Sequence, residues 1–212
     1  MIVDLTHSIR IGMPTFPGDP EIDLRVHLRH DADHCQVSKW VLGSHAGTHM
    51  DAPSHFIPGA ASLEEYPVDR FVRKGIVVDL THLDPESPIS GINLEASLEL
   101  HNPGDFLVLH TGWDRYWGLP AYDQHPYLTL DGAQLLLQKG VSLVAIDAPD
   151  IEKAPEERYP VHHLLLGNDC LIVENLCNLK RIKERVGCFT FLPLKVEASD
   201  GSPIRAIYHP CP

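Results

Sequence analysis

Three histidines and one aspartate lie close together in the segment SHAGTHMDAPSHF, which covers residues 44–56. They are His45, His49, Asp51 and His55, and the segment contains neither lysine nor arginine. Imidazole nitrogens and carboxylate oxygens are ligands that Zn²⁺ and Mn²⁺ accept in proteins, at about 2.0 to 2.2 Å. The segment also lacks cysteine, which argues against a closed structural zinc site. These residue types therefore predict a metal site that is open to a substrate.

The spacing of the four side chains limits the backbone conformations that can bring them together. On an α-helix, His45 and His49 would share a face, whereas Asp51 would lie about 200° round from His49. In a fully extended strand, the ends of the set would be separated by roughly 30 Å or more. The segment must therefore curl, and Gly47 and Pro53 are where a curl can be built. A His-rich surface loop is the alternative interpretation.

Several apolar runs rich in β-branched and aromatic residues predict the strands that would position this segment. The predicted strands are IVDLT, EIDLRVHLRH, CQVSKWVLG, GIVVDLT, DFLVLHT, VSLVAID, CLIVE and CFTFLPL. EIDLRVHLRH alternates strictly and predicts a half-buried strand that pairs near CQVSKWVLG. TLDGAQLLLQKG predicts a helix capped by Thr129 and ended by Gly140, and YPVHHLLLGN predicts a shorter one entered through Pro160. Several strands with few helices indicate a mixed α/β fold.

The composition excludes several classes of function. The formal net charge is -12 over 212 residues, which would repel nucleic acid and anionic lipid. No apolar run approaches the roughly 18 residues that a membrane-spanning helix needs. We therefore expect a cytoplasmic protein that acts on a small molecule, with neither nucleic acid nor a membrane as partner.

The cysteines do not predict a disulfide framework. There are five of them, an odd number, and no two form a C-x-x-C pair. Cys170 and Cys188 adjoin strand-like apolar runs, so both are expected to be buried free thiols.

The run HAGTHMDAPSH, residues 45–55, resembles the H-x-G-T-H-x-D-x-P-x-H signature of the cyclase family of metal-dependent hydrolases, which includes bacterial kynurenine formamidase and isatin hydrolase. Other segments resemble family segments in the same order: FPGDP, GIVVDLTH, HTGW, VAIDAPDIE, LLLGNDCLIVENL and FLPLKVEASDGSPIRAI. The resemblance covers nearly the whole chain. It implies one α/β domain of the swivelling β/β/α type over residues 1–212, assembled as a homodimer or homotetramer.

The resemblance also implies a set of metal ligands. His45, His49 and Asp51 would bind one ion, and Asp51 would bridge to a second. The family's later ligand pair, a histidine followed twelve positions on by a glutamate, corresponds here to His162 and Glu174. The neighbouring His163 is the alternative, which we reject as a helix-surface residue.

Independently of the family, Glu174 lies at the end of an apolar strand. An unpaired carboxylate is costly to bury there, so its side chain must reach either solvent or a cation. We expect one or two divalent ions per subunit, with Zn²⁺ favoured and Mn²⁺ as the alternative.

His55 is left for proton transfer, which is the role that the resemblance implies for it. An imidazole, whose ordinary pKa is about 6.5, can accept a proton from water and donate one to a leaving nitrogen. The implied reaction is attack of a metal-bound hydroxide on an amide carbonyl, as in an arylformamidase that converts N-formylkynurenine to kynurenine and formate. A further metal ligand is the alternative role for His55.

Other reactions are compatible with the same residues. The site could open a cyclic amide, an imide or a lactone, as for isatin, or support a polyketide-type cyclisation. A non-catalytic protein, in which the metal only stabilises the fold, is a more distant alternative. His55 argues against it, because a purely structural site needs no acid–base group.

A substrate-binding loop is implied by the segment FPGDP, which comprises Phe16, Pro17, Gly18 and Asp19 in its first four positions. The corresponding loop is typically W-P-G-D in the formamidases, where the aromatic residue lines the substrate site. Phe16 keeps an aromatic wall but lacks the indole N–H. The segment HTGWDRYWG adds Trp113, Tyr116 and Trp117 as further candidates, with core packing as their alternative role.

Overall fold

The apolar runs of the sequence form the strands of one large sheet and two short ribbons. The computed structural model describes residues 1–153 and 158–211. Its strands are β1 (Val3–Asp4), β2 (Asp23–Leu28), β3 (Val37–Val41), β4 (His49–Asp51), β5 (Val72–Asp79), β6 (Pro88–Ile89), β7 (Phe106–His110), β8 (Tyr127–Leu128), β9 (Leu143–Ile146), β10 (Leu171–Glu174), β11 (Val186–Pro193) and β12 (Gly201–His209). Its helices are α1 (His30–Asp33), α2 (Gly91–Leu98), α3 (Leu130–Gln138) and α4 (Pro160–Leu166).

The large sheet has the order β1-β12-β11-β5-β7-β9-β10-β4. Strand β4 pairs with β12 as well as with β10, so the sheet curls round and closes like a barrel. The four strands from β5 to β10 in this order run parallel, and the remaining pairings are antiparallel. Crossover connections between parallel strands carry α2, α3 and α4. The predicted mixed α/β fold is therefore confirmed.

Alternate residues of the parallel strands enter two different apolar cores. In β7, Phe106 and Val108 face the inside of the curled sheet, whereas Leu107 and Leu109 pack under the helices. A strand whose side chains alternate between two buried faces needs apolar residues at every position. This requirement explains the continuous apolar runs that the sequence shows.

The two predicted helices form as their local sequence indicates. The Thr129 side chain accepts a hydrogen bond from the Gly132 backbone N–H at the start of α3. The chain leaves this helix through Gly140, whose φ of 74° favours glycine. Pro160 occupies the first turn of α4, where its missing N–H has no helical partner to lose.

The ribbon of β2 and β3 departs from expectation in its burial. The two strands pair antiparallel, as predicted, but neither is hydrogen-bonded to another strand of the described chain. Ile22 packs into a small core, whereas Val26 is 45% exposed and Trp40 is 69% exposed. The predicted half-buried face is therefore wrong at Val26, although Leu28 is again half-buried, because no further strand of the described chain pairs with the ribbon.

One cysteine prediction is also corrected. Cys170 is buried and free, as expected, but Cys188 is joined to Cys211 by a disulfide bond. Strand β12 pairs with β11 and returns the C-terminal residues alongside Cys188. This antiparallel return is a long-range contact that spacing along the chain does not reveal.

The predicted single domain covers residues 1–212, of which 154–157 and 212 lie outside the described residues. None of the helices within residues 1–153 and 158–211 is long and apolar enough to cross a membrane. The expectation of a homodimer or homotetramer stays a prediction.

His7 generates a test of stability against pH. Its ring stacks on Trp117 with centroids 4.0 Å apart, and its Nε2 is buried without a hydrogen-bond partner in the described structure. Burial outweighs the charge of Asp114 and lowers the pKa of His7 to about 4. As pH falls below about 6.5, the unfolded chain takes up this proton before the folded chain does, so folding becomes less favourable.

We therefore expect the stability advantage of wild type over His7→Gln to shrink between pH 7 and pH 5. The change should be on the order of 1 kcal/mol, because the ring is partly screened by solvent. Urea unfolding at the two pH values measures it, with His82→Gln as the control at an exposed histidine. An advantage that stays constant would contradict a neutral, buried His7.

Candidate metal and substrate site

The pairing of β4 with β10 brings the first ligand candidates together. His49 lies opposite Glu174 in this antiparallel register, and Asp51 lies opposite Ile172. His49 and Asp51 are two residues apart, so their side chains emerge on the same face of β4 while Met50 enters the core on the other. His49, Asp51 and Glu174 are all buried. Three potential ligands are therefore held by regular strands.

The curl predicted on either side of β4 is present. Gly47 has a φ of 68°, and a side chain there would meet Met13. The turn places His45 next to Asp51, with Nδ1 at 2.8 Å from Oδ1. After β4, Pro53 opens a single 3₁₀ turn that ends at His55. The His55 ring stacks on His45 with centroids 3.9 Å apart.

Helix α4 supplies the remaining imidazole. His162 is buried on its inner face, whereas His163 is exposed. His162 Nε2 lies 3.8 Å from Asp51 Oδ2 and 3.5 Å from Glu174 Oε1. The structure therefore brings His162, rather than His163, to the ligand candidates of β4 and β10.

Asp51 lies between two groups of potential ligands. Its Oδ1 faces His45 and His49, the latter with Nε2 at 3.4 Å, while its Oδ2 faces His162. Three groups of potential ligands in the described chain have their ligand atoms within 4.8 Å of one another: His45–His49–Asp51, Asp51–His162–Glu174 and His45–His55–Asp200. Asp51 belongs to the first two of these groups, so either of them could hold a metal ion through this carboxylate.

The hydrogen bond on the outer nitrogen of the His49 ring shows that its inner nitrogen can bind a cation. His49 Nδ1 lies 2.8 Å from the Gly47 carbonyl, which can only accept, so Nδ1 carries a proton. In the neutral ring, Nε2 then presents a lone pair to Asp51 Oδ1 and to Glu174 Oε2, each 3.4 Å away. Ligands at about 2.0 to 2.2 Å from a tetrahedral ion are about 3.3 to 3.6 Å apart. His49 Nε2 and the two carboxylate oxygens therefore have the spacing of ligands around one metal ion.

Glu152 performs the same task for His162. One of its carboxylate oxygens lies 2.5 Å from His162 Nδ1 and also accepts the His162 backbone N–H. Its other oxygen accepts the N–H of Val161 at the start of α4. A carboxylate on the distal nitrogen orients a metal-binding imidazole and increases its basicity. Glu152 thus fixes both the helix start and the ring.

The charges within the cluster shift its pKa values strongly. Burial would raise the pKa of Asp51, but His45 and His49 outweigh it and hold that pKa well below its usual range. Burial would lower the pKa of His45, but Asp51 and Asp200 raise it to about 9. Burial would also lower the pKa of His49, but Asp51 again outweighs burial and raises it. Metal binding must therefore displace protons from these imidazoles.

His55 occupies a different environment. Its side chain is 31% exposed, and burial is the main reason that its pKa is lowered, since Asp51 acts in the opposite direction. Its Nδ1 lies 3.6 Å from Asp200, and the same carboxylate accepts from His45 Nε2 at 3.2 Å. The ring is thus neutral and accessible near pH 7, as a proton acceptor requires.

A cavity of about 900 Å³ opens over the ligand candidates and His55. This volume suits a small organic molecule. All four predicted loop residues lie in its wall: Phe16, Pro17, Gly18 and Asp19. Phe56, Tyr122 and Tyr159 provide further aromatic surface.

The aromatic residues of HTGWDRYWG do not reach this wall. Trp113 is buried in the core, and its indole N–H donates to the Ala121 carbonyl. Tyr116 and Trp117 pack against the same core. Their alternative role in packing is therefore the one that the structure shows, and Tyr122, six residues beyond Tyr116, lines the cavity instead.

Residue-level analysis of the sequence missed several polar groups of the site. Glu152, Asp150 and Asp147 all follow β9, in the segment VAIDAPDIE. Three acidic residues directly after an apolar strand are the signal that could have identified them. Asp200 and His125 carry no comparable local signal, because only the closed sheet and the cavity bring them to the site.

Asp147 and Asp150 are both buried, with different roles. Asp147 accepts from the backbone N–H groups of Thr111 and Gly112 and from the Thr111 hydroxyl, which ties two neighbouring loops together. Burial raises its pKa to about 6. Asp150 lines the cavity, and burial together with the charge of Glu174 raises its pKa to about 8.

The chain is similar in sequence to proteins of one family. A family model described as "Putative cyclase" matches residues 3–153. A protein of Bacillus cereus called kynurenine formamidase is 26% identical over 209 residues, which cover 98% of this chain and 97% of that protein. A kynurenine formamidase of Bacillus anthracis is likewise 26% identical over 209 residues, with the same two coverages.

Solved structures show the same fold. An isatin hydrolase bound to the product analogue thioisatinate is similar with a TM-score of 0.88 and 25% identity, over 99% of this chain and 92% of that one. A potential metal-dependent hydrolase with cyclase activity has a TM-score of 0.82 and 28% identity, over 98% and 96% of the two chains.

The Glu152–His162 contact generates a prediction about metal affinity. Glu152→Gln keeps the size of the side chain but removes the charge that orients and polarises His162. We expect affinity for the second of two Zn²⁺ equivalents to fall about 10-fold or more, as is typical when such a partner is changed. Affinity for the first equivalent, at His45 and His49, should stay within about 3-fold.

Titration of the protein with two equivalents of Zn²⁺ in competition with a chelating dye measures the two affinities separately. Glu95→Gln, at an exposed position of α2, is the matched control. Two equal losses would contradict the assignment of Glu152 to one of two separate triads.

Proposed function

Since the chain belongs to the putative cyclase family, we propose that it is a metal-dependent hydrolase that cleaves the C–N bond of an N-formyl aryl amine, as in N-formylkynurenine. The observation that carries this proposal is the juxtaposition of two ligand triads with a further imidazole, that of His55. Asp51 joins the triads, and His55 lies beside them at the cavity. The kynurenine formamidase relatives support the arylformamide substrate.

The residues that would hold the metal are His45, His49, Asp51, His162 and Glu174. A divalent ion bound there would supply a Lewis acid and a water ligand of lowered pKa. Zn²⁺ is our first expectation and Mn²⁺ the second, because nitrogen and oxygen ligands suit both.

His55 would carry the protons of the reaction. Its neutral ring can accept a proton from the attacking water and then donate it to the departing aryl amine nitrogen. Water thereby adds to the formyl carbon, the C–N bond breaks, and formate and the aryl amine leave. Asp200 supports this role by its position, since its carboxylate faces both His45 and His55.

The cavity wall would exclude water and orient the substrate ring. Phe16 is 39% exposed, so it has aromatic surface free for a flat ligand. Phe56 contacts both His55 and His162 at ring-centroid distances of 4.5 and 4.7 Å. An aryl group between such residues would lie next to the acid–base group.

Hydrolysis of a cyclic amide is the second candidate function. The similarity to isatin hydrolase, at a TM-score of 0.88, is the observation that favours it. Both reactions need water activation and protonation of a nitrogen, so they differ in the substrate rather than in the acid–base residues. Isatin therefore belongs in the same assay series as the formamide.

A variant of His55 tests the proton-transfer role. We expect His55→Asn to lower kcat for the formamide at least about 100-fold, the lower range for loss of a general acid–base group. Bound zinc should stay within about 20% of wild type if His55 is no ligand. Assay of formate release, with elemental analysis of the same samples, measures both quantities. Loss of metal together with activity would make His55 a ligand instead.

The pH dependence provides a second test. Because the pKa of His55 is lowered, kcat/KM should be flat near pH 7 and fall on the acid side at an apparent pKa below about 6.5. Protonation removes the lone pair that accepts the proton of water. A profile that rises as pH falls from 7 to 5 would contradict a neutral His55 as base.

The proposal as a whole is tested by removing and restoring the metal. The apoprotein should release no formate from N-formylkynurenine, and added Zn²⁺ or Mn²⁺ should restore turnover. If metal is bound and only isatin is hydrolysed, the second candidate is correct. If the metal changes neither reaction, the hydrolase proposal fails.

A further inference from the structure

The cavity wall carries negative charge beyond that of the ligand candidates. Three carboxylates other than the ligand candidates line it, those of Asp19, Asp123 and Asp150. Among the described lining residues there is neither lysine nor arginine. Lys153, near in sequence, contacts Glu86 and Tyr127 instead, and Arg158 is exposed. Two divalent ions would carry four positive charges, of which Asp51, Glu174 and Glu152 balance three, so two of the three further negative charges would remain uncompensated.

Asp150 is the deepest of the three carboxylates. It is 4% exposed, and Oδ1 accepts a hydrogen bond from the Glu152 backbone N–H at 2.8 Å. Within residues 1–153 and 158–211, no group donates to Oδ2. This oxygen lies at the cavity wall, where a bound molecule can supply a donor or a cation to it.

His125 lines the same cavity and adds a second unpaired acceptor. It is 3% exposed, and its Nδ1 lies 2.9 Å from the Pro126 carbonyl, so Nδ1 must carry the proton. Burial lowers the pKa of the ring, which keeps it neutral. Nε2 therefore presents a lone pair, and no described residue donates to it. Burial and the charge of Glu174 raise the pKa of Asp150, whereas a cation held by Glu174 or an ammonium against Oδ2 favours its ionised form. With Asp150 ionised, both residues offer acceptors and neither offers a donor.

We propose that Asp150 and His125 bind a protonated amine of the substrate, and that the preferred substrate is an N-formyl aryl amine carrying an ammonium group and no carboxylate. An ammonium has three donors and a positive charge, which match an ionised carboxylate and an imidazole lone pair. This inference rests on the proposed function, because it names the substrate class of the same site.

A substrate carboxylate would be poorly accommodated in this wall. It would bring a fourth negative charge to Asp19, Asp123 and Asp150 without a basic side chain to pair with, and a like charge at close range is unfavourable. N-formylkynurenine carries both an ammonium and a carboxylate. N-formylkynuramine has the same formanilide and ammonium but carries hydrogen in place of the carboxylate, so the pair isolates the carboxylate.

Binding of the three corresponding aryl amines to the zinc-loaded protein tests the inference without any turnover. Kynuramine carries the ammonium alone, kynurenine carries ammonium and carboxylate, and 2-aminoacetophenone carries neither. Calorimetric titration should give kynuramine a dissociation constant at least about 10-fold lower than either of the others, as expected for a charge-assisted hydrogen bond. If 2-aminoacetophenone or kynurenine binds as tightly as kynuramine, the inference is wrong.

Asp150→Asn tests the residue itself. It keeps the shape but removes the charge, so the preference for kynuramine over 2-aminoacetophenone should fall to within about 2-fold, with two equivalents of zinc retained. Asp84→Asn, at an exposed loop position, is the matched control and should keep the wild-type preference. An unchanged preference in Asp150→Asn would overturn the assignment. If this variant does not fold, the binding of the three aryl amines to the wild-type protein still tests the inference.

Formate release separates this inference from the proposed function. N-formylkynuramine should have a kcat/KM at least about 10-fold higher than N-formylkynurenine. If both formamides react equally, the hydrolase proposal holds and the substrate-class inference fails. If neither reacts while kynuramine still binds selectively, the ammonium site holds and the formamidase proposal fails.

Discussion

The rest of the structure depends on two carboxylates, those of Asp51 and Glu174, that are buried close together with imidazoles as their only basic neighbours in the described chain. Asp51 is 1% exposed and Glu174 is 6% exposed. Their burial is unfavourable unless positive charge is placed between them. A metal ion can supply that charge, because His49 and His162 are hydrogen-bonded at their outer nitrogens and each directs the lone pair of its inner nitrogen toward the carboxylates. The surrounding elements hold these groups at ligand spacing.

Regular secondary structure supplies most of that positional accuracy. The register of β4 against β10 places His49 directly opposite Glu174, and any slip of one residue would turn the ligands into the core. Apolar packing on both faces of β10 resists such a slip. Helix α4 arrives over the same strands because it belongs to the crossover between β9 and β10, and Glu152 fixes its first turn. The ligand side of the site is therefore rigid.

The other side of the site is built from loops and differs in character. Phe16, Gly18 and Asp19 lie in a loop near the N-terminus, and His55 ends a single 3₁₀ turn. These groups are more exposed than the ligand candidates, as groups that exchange protons or contact a substrate must be. Under the proposed function, the strands would hold the metal and the loops would select the substrate. Asp150 lies at the boundary, since it follows β9 directly and faces the cavity.

The sequence alone determined the type of fold and the local half of the site. Continuous apolar runs specify strands buried on both faces, Thr129 specifies a helix start, and the spacing around Gly47 excludes both a helix and an extended strand. These features depend on neighbours within a few residues, so the printed sequence contains them. His45, His49, Asp51 and His55 could be selected for the same reason, and the resemblance to a family added His162 and Glu174.

Only the tertiary structure decided which distant groups share an environment. Asp200 meets His45 because β12 closes the sheet on β4, and Cys188 meets Cys211 because the same strand returns along β11. The exposure of Trp40 and the burial of Trp113 likewise depend on what packs over each residue, since both side chains are equally apolar. The unpaired acceptors of Asp150 and His125 follow the same rule. A hydrogen-bonding group is satisfied or unsatisfied according to its neighbours in space, and those neighbours are set by the closure of the whole chain.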